Sequence, residues 1–142
     1  QLLFTSRLYE FLYHLCRSYS HQIPSASLTG SQRDLQRVTH VMNWVKVHYP
    51  EPLSLETAAD SLALSKEYFC RLFKKYTGQT FLEYLNDVRT MHLYEDLQNS
   101  DETITVLMEK NGLSNYKIFM RTFKKLYGST PQKMRSNRIR HV

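Results

Sequence analysis

Arg71 and Arg121 hold the same place in two copies of one phrase, RLFKKYTGQT at 71–80 and RTFKKLYGST at 121–130, which agree at six of ten positions. At helical spacing Glu67, Cys70, Arg71 and Lys74 share a face in the first copy, and Lys117, Met120, Arg121 and Lys124 share one in the second. Such faces offer recognition rather than bond-making. An arginine fork can pair with both acceptors of a guanine edge, worth roughly 1–3 kcal/mol of discrimination, and a carboxylate can accept from a cytosine amino group. Cys70 and Met120 can touch thymine methyls, Lys117 can reach a guanine or a phosphate, and Tyr116 can stack on a base or pack on its own turn. Lys66, Lys74, Lys75, Lys124 and Lys125 suit phosphates, which fix register without reading sequence. Ser65, Ser114 and Asn115 stand at helix starts, where they can cap the helix or meet a phosphate.

Other chemistries find little to work with. Six histidines form no pair at ligating spacing, and the two cysteines, Cys16 and Cys70, make no disulfide framework and no metal-ligand spacing. Paired carboxylates, a glycine-rich phosphate loop and a Ser/His/Asp set are not apparent, so the expectation is a non-enzyme with no cofactor and no metal. The chain has 142 residues, 42% hydrophobic and 23% charged, with no apolar run of membrane-spanning length. Its net charge of +6 is unevenly spread. Residues 32–114 carry nine basic and twelve acidic side chains, whereas residues 115–142 carry eight basic and none acidic. A one-sided basic segment on a foldable helix points to a polyanion.

The elements that must position these residues read as helices. Leu8, Phe11, Leu12, Leu15, Cys16 and Tyr19 predict an amphipathic helix over Phe4–Tyr19, a candidate partner surface, followed by the Ser-rich linker SHQIPSASLTGS. A second helix starts near Ser31, with Asp34 as a cap-like partner. It buries Val38, Val41, Met42 and Val45 and ends at Pro50 and Pro52. Ser54 caps a short helix through Leu62, LALS turns, and Ser65 caps a helix through Tyr76 that Gly78 closes. Thr80 and Glu83 form a capping box opening a long helix to about Leu97, and NSDE breaks it. Thr103 caps another short helix, NGLSN turns, and a helix from about Asn115 to Tyr127 closes at Gly128 before a final helix opened by Thr130 and Pro131. Phe69, Leu72, Phe73 and Tyr76 make the core stripe of one copy, and Phe119, Thr122, Phe123 and Leu126 that of the other.

The fold expected is therefore all-α. Two helix–turn–helix subdomains, homeodomain-like three-helix units, are joined by a long central helix and preceded by an extra N-terminal helix. The boundaries fall at 1–30, 31–97 and 98–142. About seventeen helical residues between the two helix–turn–helix units span roughly 26 Å, which with the width of the units approaches the ~34 Å pitch of B-DNA.

The stretch from about Ser54 to Met134 resembles the DNA-binding domain of AraC/XylS-type bacterial transcription regulators, and with the helix from Ser31 to Tyr49 the resemblance covers about three-quarters of the chain. SLETAADSLALSKEYFCRLFKKYTGQTFLEYLNDVR and ITVLMEKNGLSNYKIFMRTFKKLYGSTPQKMR carry it, with Gly112, Phe119, Phe123, Lys124, Gly128, Thr130 and Pro131 at the family's signature spacings. Leu93 and Met108 stand where the family usually has Ala, and Asn111 where it usually has an apolar residue. The resemblance implies a cytoplasmic protein that binds double-stranded promoter DNA over two successive major grooves and activates transcription through RNA polymerase. It also implies a separate N-terminal domain for effector binding and dimerisation. Residues 1–30 read as the tail of that domain, a small-molecule effector would act only through it, and a homodimer is possible. The alternative is a helical module whose helix–turn–helix units bind protein without reading DNA. An alkyl-transfer enzyme with a fused DNA-reading part would need an activated cysteine that the sequence does not supply.

Overall fold

The computed structural model describes residues 29–139. Seven helices occur among them: α1 Gly30–His48, α2 Leu55–Asp60, α3 Lys66–Thr77, α4 Phe81–Asn99, α5 Ile104–Lys110, α6 Tyr116–Tyr127 and α7 Pro131–Ile139. The helix expected over Phe4–Tyr19 and most of its linker lie outside the described residues. No helix among the described residues is long and apolar enough to cross a membrane.

Local cap chemistry sets most of the boundaries. Ser65 Oγ accepts from the Tyr68 N–H at 3.3 Å, and Asn115 Oδ1 accepts from the Ile118 N–H at 3.0 Å. Thr80 and Glu83 form the expected box, the Thr80 N–H donating to Glu83 Oε2 at 2.8 Å and the Glu83 N–H to Thr80 Oγ1 at 3.3 Å. A box not anticipated from sequence opens α2, where Ser54 and Thr57 exchange bonds of 3.1 and 3.0 Å. Gly78 at φ 78° and Gly128 at φ 69° end α3 and α6, their N–H groups donating to the Lys74 and Lys124 carbonyls. Both adopt the left-handed conformation that glycine enters without steric cost.

Some edges differ from expectation. Helix α2 stops at Asp60, because Ser61 to Leu64 are taken up by the closing turn. Helix α4 runs to Asn99, giving nineteen residues, or about 28 Å at 1.5 Å per residue. Helix α1 begins at Gly30, and Asp34 serves as a tertiary acceptor instead of a cap. Its carboxylate accepts from Tyr68 Oη at 3.3 Å and pairs with Arg37 at 3.3 Å.

The core is divided in two along α4. The first part gathers Val38, Val41 and Val45 of α1, Ala58 and Ala59 of α2, Phe69, Leu72 and Phe73 of α3, and Phe81, Tyr84, Leu85 and Val88 of α4. Phe69, Phe73 and Phe81 meet at centroid distances of 5.6–5.8 Å, two of the three pairs edge-on, the arrangement ring quadrupoles favour. The second part gathers Leu93, Leu97, Leu107, Met108, Leu113, Phe119 and Phe123. Leu93 and Met108 fill space there as ordinary core residues, 0% and 6% exposed. Asn111, buried among them, donates from Nδ2 to Asp96 Oδ2 and to the Leu107 carbonyl, both at 2.9 Å. Those bonds satisfy an amide whose burial would otherwise cost free energy.

Candidate nucleic-acid interface

Helices α3 and α6 are built alike. Each buries a Phe pair one turn apart, Phe69 with Phe73 and Phe119 with Phe123, and leaves the opposite line in solvent. On α3, Glu67, Cys70, Arg71, Lys74 and Lys75 are exposed, as are Lys66 and the cap Ser65. On α6, Tyr116, Lys117, Arg121, Lys124 and Lys125 are exposed, with Ser114 and Asn115 exposed just before them. The structure thus brings the expected side chains to two matching helix faces, with three qualifications of geometry.

Met120, expected to face outward, is half-buried and packs on the second core. Leu126, expected in the core stripe, is 36% exposed; Tyr127 takes the place instead and stacks on Tyr94 at 4.2 Å. The reason is the one-position shift of the aromatic between YTG and LYG. Tyr76 packs on the first core from the residue two before the glycine, while Tyr127 reaches Tyr94 from the residue just before it. Two expected phosphate ligands already hold carboxylates. Lys66 Nζ lies 2.8 Å from Glu56 Oε1, and Lys125 Nζ 3.1 Å from Asp87 Oδ2.

Electrostatics follow these contacts. The Lys66 hydrogen bond holds the Glu56 carboxyl down at about 2, and the same bond raises the Lys66 ammonium. The Thr80 N–H lowers Glu83. Burial pushes the Tyr84 phenol up to about 12 and raises Tyr127 as well. Ser65 and Asn115 are occupied as caps, and Tyr116 leans toward Phe119 with centroids 6.3 Å apart while its side chain stays half in solvent. Sequence reasoning missed Glu56 and Asp87 as counter-charges and Arg89 as a tertiary contact. Their partners lie 10 to 40 residues away, beyond any local spacing rule.

A family model for a helix–turn–helix domain matches residues 58–137. The chain is 31% identical over 111 residues to the HTH-type transcriptional activator RhaS of Escherichia fergusonii, covering 78% of this chain and 40% of RhaS. Among solved structures it is similar to an AraC-type DNA-binding regulator from Chromobacterium violaceum, with 28% identity, a TM-score of 0.61, and coverage of 77% of this chain and 95% of that one. It is similar also to the DNA-binding domain of AdpA, a global transcriptional factor solved with a target DNA, at 25% identity and a TM-score of 0.64, over 71% of this chain and 91% of that one. The chain belongs to the AraC-type helix–turn–helix family. It spans well under half the length of the curated relatives it matches, 40% of RhaS and 14% of an uncharacterized regulator from Staphylococcus aureus.

Proposed function

We propose that this chain is the sequence-specific DNA-reading part of a transcription regulator, with α3 and α6 entering two successive major grooves of one duplex. The observation that carries this reading is the duplication itself. Two helices with the same Phe pair, the same glycine stop and an exposed Arg/Lys line each close a short helix–turn–helix unit, and the two units are linked by a single helix of nineteen residues. Arg71 and Arg121 then read guanine edges, with Glu67, Cys70, Tyr116 and Lys117 beside them, and Met120 reaches a base only with its exposed edge. Lys74, Lys75 and Lys124 meet phosphates directly. Lys66 and Lys125 do so by exchanging Glu56 and Asp87 for the backbone, and Ser65, Ser114 and Asn115 flank the same phosphates.

AdpA supports the DNA reading, since its similar domain was solved on a target duplex. RhaS supports an activator, with RNA polymerase as the protein partner in a cytoplasmic setting. An effector and a homodimer contact belong to sequence outside the two reading subdomains. On this reading the chain acts by binding and has no catalytic step.

The test is the salt dependence of binding. Engagement of six to eight phosphates predicts a slope of log K against log salt of about −5 to −7. A slope near zero would instead favour a protein-binding module.

A further inference from the structure

The two cores leave a gap along α4. The first ends at Val88 and the second begins at Leu93. Arg89 is the first residue in that interval, and its guanidinium turns back to the end of α1. Nε–H donates to the Tyr49 carbonyl at 2.7 Å and Nη2–H to the Glu51 carbonyl at 2.6 Å. Both carbonyls lie just beyond a helix C-terminus, where a cation is favoured. One turn further on, His92 lies flat against Tyr49 at 4.0 Å and 6°. The opposite side of the same place is closed by the turn of the second subdomain. Gly112 sits at φ 72°, and a Cβ built there would come within 2.6 Å of the Pro50 carbonyl oxygen and 3.2 Å of Arg89 Cζ. Three separate pieces of chain therefore meet at Arg89: the exit of α1, the middle of α4, and the turn between α5 and α6.

We propose that this joint, and not α4 alone, sets the distance and phase between α3 and α6, which makes Arg89 a positioning residue for the spacing of the two half-sites. The inference rests on the two-groove reading above. Its physical basis is linkage: two heads on one chain reinforce each other only when their geometry matches the sites. A rigid joint gains most at one spacing and loses most at others. Inserting one base pair between half-sites moves one of them by about 3.4 Å and turns it by roughly 35°, a mismatch that a fixed joint cannot follow. Arg89 suits the task because its planar fork holds two donors at a fixed separation, one for each carbonyl, whereas a lysine's donors all rotate about a single nitrogen.

The experiment measures affinity of the 142-residue chain for duplexes carrying the selected half-sites at native spacing, with one or two base pairs inserted or deleted, and for a duplex with one half-site alone. For the wild-type chain, each altered spacing should cost about tenfold or more. Arg89→Gln and Gly112→Ala should bind a duplex carrying only the half-site read by α3, the helix remote from the Gly112 turn, within about twofold of wild type. At native spacing they should lose about tenfold, and across the altered spacings they should vary by less than about threefold. Arg89→Lys should fall between, and it replaces Arg89→Gln if thermal melting shows that variant unfolded. Variants as steeply spacing-dependent as the wild type would overturn the joint alone. A wild-type chain indifferent to spacing would overturn the two-groove reading and the joint with it.

Discussion

In the turn between α2 and α3, Ala63 stands in the left-handed region at φ 52°, and in the turn between α5 and α6 Gly112 does so at φ 72°. The closures are otherwise the same. Leu64 N–H donates to the Ala59 carbonyl and Leu113 N–H to the Met108 carbonyl, while Ala63 and Gly112 donate to Asp60 and Glu109. Both are Schellman closures sealed by a leucine. The connection after the second closure is one residue longer, since Ser114 separates Leu113 from the cap Asn115 whereas Leu64 runs directly into the cap Ser65. A left-handed alanine is tolerable in the first turn at a cost on the order of 1 kcal/mol. In the second turn a Cβ would also strike Pro50, so glycine is required twice over. The difference shows that the two heads are copies in their helices and not in their surroundings. The second turn also serves as a contact surface for the rest of the molecule.

The comparison can be broken first at the cores. Phe73→Ala and Phe123→Ala remove fully buried rings from separate clusters, and each should cost about 3–5 kcal/mol. Urea denaturation of the single and double variants would test the separation. Near-additive losses fit two cores, and strong coupling would mean the molecule has only one.

Smaller effects sharpen the contrast at the caps that follow the glycines. Thr80 has Glu83 to return its hydrogen bond, whereas Thr130 faces Lys133, whose N–H donates at a long 3.4 Å and whose side chain cannot accept. Thr80→Ala should therefore cost about 1 kcal/mol, and Thr130→Ala measurably less, read as shifts in the urea midpoint. Acid sharpens it further. Hydrogen bonds from Thr80 hold the Glu83 carboxyl below its ordinary value. Its contribution is complete above the unfolded carboxylate range of about 4.3 and is lost as pH falls through the lowered folded value. Glu83→Gln should thus be less stable than wild type at neutral pH and approach it in acid, with no counterpart in the second subdomain. A gap that stayed constant down to pH 3 would contradict this.

What could be read from the sequence was local. Ser54, Ser65, Thr80, Thr103 and Asn115 were identifiable as caps, and Gly78 and Gly128 as stops, because a cap is satisfied within three or four residues. The Phe pairs and the exposed Arg71 and Arg121 follow from the same 3.6-residue repeat. What stayed hidden depends on distant partners. Helical period cannot tell whether position 126 or 127 faces the core until Tyr94 is in place to receive the ring. Nor does any spacing rule join Arg89 to Tyr49, Lys125 to Asp87, or Asp34 to Tyr68. Asn111 looked misplaced among apolar neighbours until Asp96, fifteen residues earlier on α4, supplied its acceptor.

The central claim is that two helices of one chain each read their own groove. Selection from random duplexes, run with wild type, Arg71→Ala and Arg121→Ala, tests it most directly. The expected result is two short blocks of preferred bases about ten base pairs apart, with Arg71→Ala degrading one block by roughly 1–3 kcal/mol of discrimination and Arg121→Ala the other. One uninterrupted block, or two variants that weaken every sequence equally, would contradict it.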